Sequence, residues 1–107
     1  MLPKNIEIII LQNVLYWLRL DNINIRWCAT RIMFALLRNP ENKKIINNQL
    51  THLIESQNVY IKNLILRNIA SNEGVTETTR NYIISRCEND SNYVVRLVCS
   101  EIKEELP

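Results

Sequence analysis

Apolar residues in this chain recur at helical spacing, in six blocks separated by short polar breaks. In the first block, roughly 5–20, Leu11, Val14, Leu15 and Leu18 form one stripe. In the third, 42–56, the stripe is Ile46, Leu50, Leu53 and Ile54. In the fifth, 75–89, it is Tyr82, Ile83 and Cys87. Steps of three and four residues return to the same side of a 3.6-residue turn, so each block predicts an amphipathic helix. The alternate blocks, about 22–38, 58–72 and 92–106, share more than a period. Each opens with Asn, two variable residues, Ile or Val, then Arg or Lys: Asn22 to Arg26, Asn58 to Lys62 and Asn92 to Arg96. The spacings are 36 and 34 residues.

Counting from each Asn, the third and seventh positions give Ile25 with Ala29, Ile61 with Ile65, and Val95 with Cys99. The sixth adds Cys28, Leu64 and Val98. Ile32 with Leu36, and Ile102 with Leu106, extend the same stripe. These positions are the expected buried face. The middle copy has Asn68 and Asn72 instead, which predicts last turns that are solvated or missing. An Asn side-chain carbonyl can accept from the free N–H groups of a first turn, so each repeated Asn is a predicted helix start. Asp21, Ser56 and Asp90 mark the breaks before them. Pro40 suits a first helical turn, and Gly74 is expected to supply a left-handed terminating residue.

The pattern predicts an all-α chain. Three helical hairpins, about 5–38, 41–72 and 75–106, would form one domain over 1–107 as a six-helix superhelix, or solenoid. A lone hairpin buries too little apolar surface, whereas about three stacked ones share a continuous core. One Gly and three Pro in 107 residues leave little turn chemistry for a many-stranded fold. The excess of Ile and Asn reads as compositional bias without functional meaning.

At "LRLDNINIRWCATRIMFALL" and "ENDSNYVVRLVCSEIKEEL" the chain resembles the HEAT repeat family, and more weakly at "IESQNVYIKNLILRNIA". The resemblance implies a leucine-rich first helix, an Asp at the turn and a second helix opening on Val-Arg. It also implies a ladder of turn Asp and Arg residues linking successive hairpins. By position that ladder falls to Asp21, Arg26, Asp90 and Arg96. Lys62 is a poor substitute, since an ammonium lacks the planar fork of a guanidinium. HEAT-type proteins act through their surfaces, so the implied activity is scaffolding and protein binding.

Charge narrows little. The net charge is +2, divided as +3 over 1–38, +2 over 39–72 and −3 over 73–107. Three cysteines, Cys28, Cys87 and Cys99, lie in apolar patterns without metal-ligand spacing, which fits a reduced, cytoplasmic setting. Glu7, Gln12 and Asn13 interrupt the apolar N-terminal run, so neither a secretion signal nor a membrane span is expected.

No catalytic motif emerges. His52 and Glu55 share a helical turn, but one such pair is too few for a metal centre. With a single Gly the phosphate-cradling fingerprints are missing. The expectation is a non-enzymatic module without cofactor, metal or small-molecule ligand.

What remains is surface. The first, fifth and ninth positions after each Asn should point away from the stripe: Ile23, Trp27 and Arg31; Val59, Asn63 and Arg67; Tyr93, Leu97 and Glu101. Aromatic and Arg residues sharing one groove make a composition typical of binding hot spots. The candidate partner-binding residues are Trp27, Arg31, Asn63, Arg67, Tyr93 and Leu97. The first helix is apolar in most directions, which suggests a protein partner or a homodimer through that helix. An alternative is nucleic-acid binding, with Arg31, Arg38, Lys43, Lys44, Lys62 and Arg67 on phosphates.

Overall fold

Three asparagines start three helices. The Asn22 side chain accepts from the N–H of Ile25 at 3.0 Å, Asn58 from Ile61 at 3.1 Å, and Asn92 from Val94 and Val95 at 2.9 and 3.2 Å. The computed structural model describes residues 3–56 and 58–106, Ser56 by its backbone alone. Its α-helices are α1 (Lys4–Trp17), α2 (Ile23–Leu36), α3 (Lys43–Ser56), α4 (Val59–Ile69), α5 (Glu77–Cys87) and α6 (Tyr93–Glu105). A 3₁₀ turn, Pro40–Asn42, leads into α3. The chain is all-α, with no strand among the described residues. No helix of the described residues is long and apolar enough to cross a membrane.

The second helices of the pairs lie in a row, α2 along α4 and α4 along α6, while α3 packs on α5 and α1 on α2. The result is a slab of 40 × 33 × 17 Å, its short dimension about two packed helices deep. One buried cluster runs through all six helices, from Leu11 and Val14 in α1 to Val98 and Ile102 in α6.

Position along the repeat governs burial in the row. The seventh position after Asn is buried in all three helices, as Ala29, Ile65 and Cys99. The third position is buried as Ile61 and Val95 but exposed as Ile25. Cys28 and Ile32 are exposed as well, against expectation. The core side of α2 is instead Ala29, Thr30, Met33, Phe34 and Leu36. The physical reason is neighbourhood: α4 and α6 each have a helix of the row before them, and α2 has α4 after it. Tyr82 of α5 is likewise exposed; Ile83 and Cys87 are buried as expected, and Ile84 is buried in its place. Leu15 is only half-buried.

The breaks are tied down by asparagine. Asn42 donates to the Leu36 carbonyl at 3.0 Å, closing α2. Asn72 donates to the Phe34 carbonyl at 3.2 Å. Asn47, buried in α3, donates to the Gly74 carbonyl at 2.9 Å and accepts from the Thr76 N–H at 2.9 Å. These contacts hold the α4–α5 connection against α2 and α3. Gly74 is not left-handed, and no residue described has a positive φ. Close approach explains it: a Cβ there would meet the Leu37 Cβ at 2.9 Å and the Leu37 carbonyl oxygen at 3.0 Å. The middle copy is shorter, as its asparagines predict, with α4 ending at Ile69.

Candidate functional site

Because α2, α4 and α6 lie side by side, their fifth and ninth positions share one face of the slab. The link is visible at the ninth position, where Arg67 of α4 pairs with Glu101 of α6 at 3.5 Å. Arg31 lies over the Trp27 ring, 5.3 Å from its centroid, and is exposed. Tyr93 and Leu97 are 67% and 45% exposed. Arg96 reaches back over the Tyr93 ring at 5.8 Å. Three residues of the predicted columns are less open: Ile23, Trp27 and Val59 are half-buried and pack against the core. Asn63 is half-buried also. Trp27 therefore serves packing and presents only part of its ring.

At the C-terminal ends of α2 and α4 the face deepens into an open cleft of about 540 Å³. Arg31, Arg38, Asn72 and Glu73 line it over Phe34 and Leu37. Glu73 was not foreseen as part of this surface. It lies beyond the helical period, on a connection whose folded path the sequence pattern does not give.

Between the second and third hairpins the ion pair is made by Lys62. Lys62 Nζ lies 2.6 Å from Asp90 Oδ2, with side chains only 18% and 11% exposed. The other carboxylate oxygen accepts from the Asn92 N–H at 2.9 Å. With the backbone N–H on one oxygen and the ammonium on the other, a point donor satisfies the carboxylate here. Burial pushes the Asp90 carboxyl upward. The Lys62 hydrogen bond, the Asn92 N–H and the charges of Lys62 and Arg96 outweigh it, leaving Asp90 below its ordinary value. Arg96 donates to the Asp90 backbone carbonyl at 2.6 Å, not to the carboxylate. Asp21 is exposed and enters none of the ion pairs found among the described residues. Arg26 is half-buried and lines a cleft with Leu15, Leu18, Gln49 and His52. The Ser56 side chain, at the corresponding turn, lies outside the described residues.

The six cations of the basic reading are dispersed. Lys62 is committed to Asp90, Arg67 faces Glu101, and Arg31 covers Trp27. Arg38 lies at the end of α2, and Lys43 and Lys44 are on α3, outside the row. Glu55, the partner considered for His52, accepts from the Tyr82 hydroxyl at 2.5 Å and pairs with Arg86 at 2.9 Å. No three His, Cys, Asp or Glu side chains are placed to hold a metal ion among the described residues.

Compared with family models, curated proteins and solved structures, the chain matches none. Among the thiols, burial pushes Cys87 up to about 12, and burial raises Cys99, whose Sγ donates to the Ile84 carbonyl at 3.4 Å. Both are protonated and inert at neutral pH. Cys28 is exposed.

Proposed function

We propose that this chain is a HEAT-like helical-hairpin module that binds a protein partner through the exposed face of the α2–α4–α6 row, with the apolar α1 contributing. The observation that carries the reading is the continuity of that face. Arg31, Arg67, Tyr93 and Leu97 are exposed on three neighbouring helices, and Arg67 and Glu101 bridge two of them. Aromatic and Arg side chains are enriched among binding hot spots and offer large contact areas. Recognition would rest on shape and hot-spot complementarity, with no bond made or broken. Nucleic-acid binding has weaker support, since Lys62 is half-buried against Asp90 and Lys43 and Lys44 lie on α3, outside the row.

The test is capture of a partner from the native cell by the tagged chain, compared with Arg31→Glu/Leu97→Glu. Both side chains are exposed, so the variant should keep its helical circular dichroism and Tm while losing capture at least tenfold. Undiminished capture by the folded variant defeats the proposal. Association with generic DNA or RNA near physiological salt would favour the phosphate-binding reading instead.

A further inference from the structure

The two ends of the helix row differ in chemistry, residue by residue. A step of 36 residues links the first hairpin to the second, and burial is matched across it. Val14 and Leu50 are both buried, as are Leu18 and Ile54, Ala29 and Ile65, Thr30 and Leu66, and Met33 and Ile69. The match is not complete: Glu7, Phe34, Leu36 and Leu37 are buried where Lys43, Ala70, Asn72 and Glu73 are not, and at six positions where the first hairpin is apolar it is the more open of the two. In the second hairpin Asn42, Ile46, Leu53 and Ile61 are buried, and Leu64 and Asn68 half-buried. Their counterparts in the first are Ile6, Ile10, Trp17, Ile25, Cys28 and Ile32. Of these Ile6, Ile25 and Ile32 are 41%, 39% and 37% exposed. Cys28 is exposed too, and Ile10 and Trp17 are half-buried.

The cover in the second hairpin comes from the first. Leu15 and Leu18 of α1 share a cleft with Gln49 and Leu53 of α3, and α2 packs along α4. The first hairpin thus presents the side that the second buries, and it is uncharged at all six positions. At the far end of the row the opposite holds. Positions four, eight, eleven and twelve of α6 are Arg96, Ser100, Lys103 and Glu104, all exposed. In α2 the same positions are Arg26, Thr30, Met33 and Phe34, the last three buried.

We propose that the open side of the first hairpin is a self-association surface, where two copies meet about a two-fold axis. Ile25, Cys28 and Ile32 of one α2 lie against those of the other, with Ile6, Ile10 and Trp17 alongside. The proposal rests on the reading of this chain as an interaction module and names a partner for its first hairpin. Charge selects a second copy in this orientation. An uncharged surface meets itself without opposing like charges, whereas head-to-tail stacking would press Arg96, Lys103 and Glu104 onto isoleucines and strip them of water. Area sets the strength. A 14-residue helix is about 21 Å long and the slab is 17 Å deep, an outline of roughly 360 Å² per copy. The pair then buries roughly 720 Å², below the size of standard specific interfaces, so the dimer is weak and reversible.

Sedimentation from about 1 μM to about 1 mM spans the range of such an affinity. The mass of the wild type should climb from 12.7 kDa toward twice that value. Ile25→Lys/Ile32→Lys should stay at the monomer mass throughout with an unchanged Tm, since both side chains are already exposed. A short bis-maleimide should join two wild-type chains through Cys28 and leave Cys28→Ser uncoupled, because only a two-fold contact sets this thiol against its own copy. A wild type that is monomeric over the whole range overturns the proposal. So does a dimer that survives the double Lys change, or one that resists coupling at Cys28. None of these results bears on capture through Arg31 and Leu97, which stands or falls separately.

Discussion

Asparagine takes structural roles in this chain that aliphatic patterning leaves undefined. Asn22, Asn58 and Asn92 start helices, while Asn42, Asn47 and Asn72 tie connections to helix ends. Asn92→Ala removes an acceptor for two N–H groups and should cost about 1 kcal/mol, a fall of roughly 4–8 °C in Tm for a domain of this size. Asn47→Leu is expected to cost more, about 2–3 kcal/mol, because the Gly74 carbonyl and the Thr76 N–H lose their partner together. Gly74→Ala should destabilise by about 1–3 kcal/mol through overpacking against Leu37, whose backbone oxygen cannot yield like a side-chain tip. Urea melts of the three variants would rank these costs. The starting asparagines were legible because each precedes a repeated stripe. Asn42 and Asn47 were not, since their partners are distant carbonyls and N–H groups that only the fold brings near.

Between elements, the Lys62–Asp90 pair joins α4 to the turn before α6. Asp90 is depressed in the folded chain, so its contribution is complete above the ordinary carboxylate pKa and is lost as pH falls through the lower folded value. Thermal melts should therefore show a fall in Tm that begins below about pH 4. The fall should be shallower in Lys62→Met, because that variant has already lost the strongest contact favouring the carboxylate. An equal acid slope in both proteins would remove the pair from the account. The sequence placed all six helices to within a few residues, since period and repeated Asn both mark them. It misjudged the exposed side of α2 for a physical reason: Ile25, Cys28 and Ile32 are as apolar as residues buried elsewhere. Periodicity identifies a face, and only the arrangement of helices says whether anything lies against it. Lys62 was undervalued because its reach to Asp90 depends on the turn before α6, whose path periodicity does not give.

Over the whole molecule, cover is uneven. The middle helix of the row, α4, has a neighbour on both sides, whereas α2 and α6 each have one. Segments with fewer buried contacts open more readily. Amide exchange of the dilute monomer should thus be slowest for Ile65, Leu66 and Ile69, and faster along α1 and the exposed sides of α2 and α6. A thiol reagent offers a second view: Cys28 should react in the native state, Cys87 and Cys99 only after unfolding. The charged rim of α6 bears on how such a chain could lengthen. A fourth hairpin joined downstream would have to dehydrate Arg96, Lys103 and Glu104, with Lys103 already held by Glu88. An added hairpin would be better accepted against the open side of α1 and α2, in competition with the second copy proposed there, than against α6 until those charges are replaced.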